Sequence, residues 1–168
     1  MGVPSGYTSA QVVQAVPVPK GIIQVVNTMT TAVATTTTTI PFDDTIPQNT
    51  EGGEFLTLSI TPSSSSNLLI ISVVMNYSYS VVNTVTVALF QDSTANALAA
   101  SSEYGSTATG MICSSLDYKM TAGTTSATTF KVRAGGESAG TLTLNGISAA
   151  RKLGGVMTSS LTIMECVV

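Results

Sequence analysis

From Gly21 onward, apolar residues recur at every second position, and no window sustains the 3.6-residue period of a helix. Leu56, Leu58 and Ile60 alternate with Thr57 and Ser59, and Val85, Val87 and Leu89 alternate with Thr84 and Thr86. Phe130 and Val132 alternate in the same way with Lys131 and Arg133. This is the pattern of a strand with one face on a core and the other toward water. Turn chemistry punctuates it at Glu51-Gly52-Gly53, Thr61-Pro62-Ser63, Thr121-Ala122-Gly123, Gly135-Gly136 and Gly154-Gly155. Strands are expected at residues 22–26, 32–40, 55–60, 68–74 with a continuation to Ser80, 84–90, 97–100, 111–120, 128–133, 141–144 and 156–168. Leu68–Val74 is apolar on both faces and reads as a central strand covered on both sides. About nine or ten strands at this spacing predict an all-β fold, an antiparallel jelly-roll β-sandwich over residues 21–168. Residues 1–20 form an extended N-terminal arm, because Pro4, Pro17 and Pro19 disfavour a helix there.

Polarity comes from hydroxyls rather than charge. The 168 residues include 27 Thr and 21 Ser, while only 9% are charged, against a usual share of about 25%. Thr is β-branched and suits the solvent face of a sheet. With 43% hydrophobic residues and so few charges to keep single copies dispersed, the domain is expected to bury part of its surface against copies of itself. Six Lys and Arg spread along a chain of net charge −3 do not match a row of phosphates, which excludes nucleic acid as a partner. The longest apolar run, Leu68–Met75, is far short of the roughly 20 residues of a membrane helix. Residues 1–11 lack the basic patch and apolar core of a secretion signal, so synthesis in the cytoplasm is expected.

The chain holds no His, which removes the commonest general base and most transition-metal sites. The remaining bases for a Ser or Thr nucleophile are lysines and carboxylates, and no Ser-x-x-Lys occurs. No enzyme, catalytic residue or cofactor is expected. Asp43, Asp44, Glu51 and Glu54 are the one acidic cluster; hard cations take such oxygens, but a solvated loop is the expected reading and no metal is assigned. Cys113 and Cys166, far apart in sequence, are expected as two small buried thiols, with a disulfide as the alternative. Tyr77 and Tyr79 are expected in packing, with ligand stacking as the alternative.

Two segments are expected to touch partners. Tyr7, Val12, Val13, Val16 and Pro17 give the arm an apolar docking stretch. In residues 156–168, Leu161, Ile163 and Val167 share one face, which leaves Met164, Cys166 and Val168 in need of another apolar partner. Neighbouring subunits supply it, and the expected oligomer interface is Leu69, Ile71, Met164, Cys166 and Val168.

Five blocks, GIIQVVNT (21–28), DDTIPQNTEGGEFLTLSITP (43–62), ALFQDSTANALAA (88–100), YKMTAGTTSATTFKVRAGG (118–136) and LGGVMTSSLTIMEC (153–166), resemble in order a family of tailed-bacteriophage small virion proteins and tail-fibre terminal domains. The resemblance implies a jelly roll like those of tumour necrosis factor and the complement globular heads. It also implies a compact homotrimer with its last strand near the three-fold axis, and carries no catalytic residues. Only about 20 residues precede the domain, without the heptads or Gly-X-Y repeats of a fibre shaft. The expected function is therefore a homotrimeric capsid decoration (cement) protein on the virion exterior. Its arm, residues 1–20, would hold the major capsid protein or another virion protein. The alternative is a tail-fibre or receptor-binding tip that recognises the host surface.

Overall fold

The computed structural model describes residues 20–168, which fold as a two-sheet antiparallel sandwich. The strands are β1 (Gly21–Thr30), β2 (Ala34–Thr36), β3 (Gly53–Ile60), β4 (Leu68–Tyr79), β5 (Asn83–Gln91), β6 (Ala99–Gly105), β7 (Met111–Thr121), β8 (Thr128–Gly136), β9 (Leu142–Leu144), β10 (Gly146–Ile147), β11 (Ala150–Arg151) and β12 (Ser159–Val167). The first sheet runs β1-β12-β4-β9-β2, with β7 on the other flank of β4. The second runs β3-β8-β5-β6. Neighbours within a sheet are mostly distant in sequence, the mark of a jelly roll rather than a meander. The expected fold class is what the chain adopts.

β4 organises the first sheet. Residues 68–74 pair with β12 and residues 77–79 with β9, while the opposite edge pairs with β7 throughout. Its odd-numbered side chains, Leu69, Ile71, Val73, Met75, Tyr77 and Tyr79, all enter the core. They meet Val85, Val87 and Leu89 of β5 and Phe130 and Val132 of β8, with Leu161 and Ile163 of β12 beside them. Tyr77 and Tyr79 are thus core residues. The Tyr77 hydroxyl lies 2.7 Å from Ser114 Oγ, and Tyr79 donates to the Ser138 carbonyl at 2.5 Å. Gly136 makes room for the Tyr79 ring, since a Cβ there would fall 2.2 Å from it.

The stretch expected as one strand from Ala32 to Ile40 is a strand only at Ala34–Thr36. Beyond it the chain leaves the first sheet and crosses the outer face of the second as a strap. Ile40 N–H donates to the Gly136 carbonyl at 3.0 Å, and Asn49 N–H to the Ala95 carbonyl at 2.7 Å. Under the strap, Ile40, Ala88 and Phe90 form a second small core. Gly135 permits the crossing, because a Cβ on it would lie 2.5 Å from the Thr38 carbonyl oxygen. The strand expected at 97–100 is shifted and longer (Ala99–Gly105), and the small hairpin of β10 and β11 escaped the alternation pattern because each arm has only two residues.

Candidate functional site

The strap covers part of the outer face of the second sheet, over Ala88 and Phe90, whereas among the described residues none covers Val25, Met29 and Val74 on the outer face of the first. Antiparallel pairing aligns the outward side chains in rows. One row is Val25, Met164, Ile70 and Lys119; the next is Asn27, Thr162, Ser72 and Asp117; the third is Met29, Ser160, Val74 and Ser115. The middle row is polar and internally bonded: Asn27 Nδ2 donates to Thr162 Oγ1 at 2.7 Å and Ser72 Oγ to Asp117 Oδ1 at 2.6 Å. The rows on either side hold the apolar side chains, Val25, Met164 and Ile70 beside Lys119 in one, and Met29 and Val74 beside Ser160 and Ser115 in the other. Val25 is 57% exposed, Met29 67% and Val74 38%, with Ile70 and Met164 half-buried between them. Ile22 at the start of β1 and Met111 at the start of β7 extend the apolar surface.

This placement corrects part of the expected interface. Leu69 and Ile71 have no exposed surface, because the odd positions of β4 point into the sandwich. Cys166 has none either, although it pairs with Leu68 on the outward register. None of the three offers surface to a neighbour. Met164 and Val168 are half-buried and do. The outward members of β4 are the even-numbered Ile70 and Val74. β4 is also not covered on both sides, since Val74 is open. The expected docking residues Tyr7, Val12, Val13, Val16 and Pro17 lie outside the described residues.

The cysteines are both free, with Cys166 buried and Cys113 exposed, which corrects the expectation that both are buried. Cys113 sits on the outward side of edge strand β7 opposite Asn76.

The acidic residues expected as a cluster are used separately. Asp43 Oδ1 accepts from Thr45 N–H at 2.9 Å and from its hydroxyl at 2.6 Å, and these bonds hold its carboxyl below the usual range. Glu51 Oε2 accepts from Gln48 N–H at 2.9 Å. Glu54 lies 3.7 Å from Lys131 and 3.5 Å from Arg133. Arg133 in turn donates to the carbonyls of Glu51 and Gly52, both at 2.7 Å, so its fork pins the end of the strap.

Glu165 is the polar residue the alternation reading passed over. It shares the inward face with Leu161 and Ile163 and has no exposed surface, under the thin cover of the Ser63–Asn67 turn. Its Oε1 accepts from Ser63 N–H and Ser63 Oγ, both at 2.8 Å, from Ser64 N–H at 3.4 Å and from Asn67 Nδ2 at 2.6 Å. With the Gln24 amide oriented to donate, its nitrogen adds a bond to Oε2 at 3.0 Å. Burial pushes this carboxyl up, but the bonds from Asn67, Ser63 and Ser64 outweigh it and hold the group below the ordinary carboxylate value. The network ties β12 to the β3–β4 turn. The Tyr77 hydroxyl is pushed up to about 12, chiefly by burial, against its bond with Ser114. It stays neutral and structural.

Grooves indent the surface of the described residues. One of about 290 Å³ is lined by residues that include Asn49, Glu54, Asp92, Lys131 and Arg133, which already have partners: Glu54 pairs with Lys131 and Arg133, Arg133 also donates to the Glu51 and Gly52 carbonyls, Asn49 donates to the Thr94 carbonyl, and Asp92 accepts from Thr129 N–H. Another, of about 390 Å³, runs along the β6–β7 corner from Glu103 to Cys113.

No curated protein matches the chain. Among solved structures it is similar to the C-terminal domain of EclA, described as a sugar-binding protein, at 13% identity and a TM-score of 0.38, over 87% of this chain and 88% of that one. It is also similar to VP2 of the infectious bursal disease virus subviral particle, at 10% identity and a TM-score of 0.36, over 99% of this chain and 42% of that one. The family model described as the Pgp3 C-terminal domain matches residues 35–168, which takes in every strand from β3 to β12. The chain belongs to the Pgp3 C-terminal domain family.

Proposed function

We propose that this chain builds rather than catalyses: it assembles as a homotrimer through the open face of the first sheet and serves as a structural protein of a tailed-phage virion. The observation that carries the reading is the contrast between the two outer faces. Residues 37–49 cover part of the second sheet over Ala88 and Phe90, whereas on the first sheet Val25, Met29 and Val74 are exposed and Ile70 and Met164 half-buried beside them. Fully burying a side chain of this size is worth about 1.5–3 kcal/mol, so even partial burial of five per protomer favours association. A closed ring of three needs each copy to offer this face to a different surface of the next.

Capsid decoration on the particle exterior is the first reading. A trimer matches the three-fold positions of a capsid lattice, and repeated weak contacts through residues 1–20 add up by multivalency. The five resembling blocks support the phage setting, while membership of the Pgp3 C-terminal domain family supports only the domain type. A tail-fibre or receptor-binding tip is the second reading, favoured by the β6–β7 groove, which lies at the end of the sandwich opposite Gly21. Counting copies of this chain per purified particle by quantitative mass spectrometry tests the choice. Hundreds of copies support decoration, about three to eighteen support a fibre, and none in any virion overturns both.

A further inference from the structure

We propose that the free edge of β7 is a self-pairing surface: residues 115–121 join the same residues of a second copy in an antiparallel ladder, about a two-fold axis at Tyr118. The contact uses a strand edge rather than the open face, so it does not depend on the trimer proposed above.

An edge strand offers unpaired N–H and C=O groups to any other chain, and folded proteins blunt such edges. β1 and β3 carry bulges, at Ile22/Gln24 and Glu54/Leu56. β2 has only three residues, and β6 turns the charged Glu103 toward the inter-sheet side, opposite Val85. β7 has none of these devices. Its 11 residues pair with β4 without a register shift and include no Pro. Among the described residues, none of its backbone groups bonds outside that ladder. The β6–β7 turn flanks its first residues, where the groove from Glu103 to Cys113 lies, so the pairing uses the far part of the strand.

The charges there select both the partner and the register. Asp117 and Lys119 are exposed on the outward side, and neither has an ion-pair partner among the described residues. Asp117 takes only the Ser72 hydroxyl, on Oδ1. A lone Lys would repel a second copy, but an acid two positions away makes the edge self-complementary. Directly opposed residues of an antiparallel pair project from the same face. With the axis at Tyr118, Asp117 of each copy stands opposite Lys119 of the other, and Ser115 opposite Thr121. An axis at Asp117 or Lys119 would set like charges against each other, and one at Leu116 would leave both without an opposite charge. On the inward side Tyr118 meets its own copy and Leu116 meets Met120. Tyr118 and Met120 are half-buried against the core, so pairing covers apolar surface that is still open. The contact is small, and its dissociation constant is expected on the order of 0.1–1 mM. It gains weight where many copies are held side by side.

The test is sedimentation velocity of the full chain from about 10 μM to about 1 mM, with reductant present so that exposed Cys113 forms no link. The parent should show a mass step as concentration rises, weakened by high salt. Amide exchange should slow across residues 115–121 at the upper end. Lys119→Asp sets carboxylate against carboxylate and should weaken the step at least about tenfold. The exchange Asp117→Lys with Lys119→Asp restores opposite charges and should restore the step. Both side chains are exposed, and unchanged thermal midpoints would show that the variants fold. No step in the parent, an equal step in Lys119→Asp, or a folded exchange variant that fails to recover would overturn the proposal. Failure of the trimer reading is seen separately, as single copies at the low end of the range.

Discussion

Glu165 keeps a carboxylate out of solvent by surrounding it with donors, and the consequence is a pH dependence with a definite sign. Its folded-state pKa lies below the ordinary value of 4.5, so the unfolded chain takes up the proton first as pH falls. The stabilisation is complete above that value and disappears as pH drops through the lower, folded one. Thermal midpoints should therefore be flat in this respect near neutrality and decline below about pH 4.5. Glu165→Ala strands the donors of Ser63, Ser64 and Asn67 and should cost about 1–3 kcal/mol at neutral pH, read by urea unfolding, with part of the acid dependence removed. A variant as stable as the parent, with the same acid profile, would show that the network contributes nothing. The signal for this site was present in the sequence: with Leu161, Ile163 and Val167 on one face, position 165 must share it. Its donors were not legible, because Ser63–Asn67 reads only as a turn until the sheets bring it against β12.

β4 shows where periodicity stops deciding. Its existence, length and central place follow from Leu68–Tyr79 alone, but a strand apolar at both parities does not reveal which side faces the core. Pairing with β12 and β7 settles it, and the odd positions go inward. Paired substitutions separate the faces. Ile71→Ala should cost about 2–5 kcal/mol of unfolding free energy by opening a cavity. Val25→Ser, at a 57% exposed outward position, should change the stability of the isolated fold by no more than about 0.5 kcal/mol yet weaken self-association. Equal effects of both on folding would contradict the assignment. The strap was misread for a related reason. Thr35–Thr39 suits a strand by propensity, but after Thr36 the chain bonds across the second sheet, near Gly135 and Gly136, instead of along a ladder. Ile40→Ala should loosen it, at about 2–4 kcal/mol, and raise hydrogen exchange across residues 37–49.

For the whole molecule, the jelly roll was the most legible feature. Ten of the twelve strands overlap segments whose alternation or apolar runs mark them. The assembly face was legible only as a demand. Low charge says that something apolar must be covered, and only the register shows that Val25, Met164 and Ile70 stand side by side to be covered. The central claim is that copies of this chain close over that face. Native mass spectrometry of the full chain, beside a Val25→Ser, Met164→Ser double variant, addresses it directly. The expected result is a species of three times 17.2 kDa for the parent, and a shift toward single copies for a variant that still unfolds cooperatively. A parent that stays a single copy at micromolar concentration, or a double variant that trimerises as well as the parent, would contradict it.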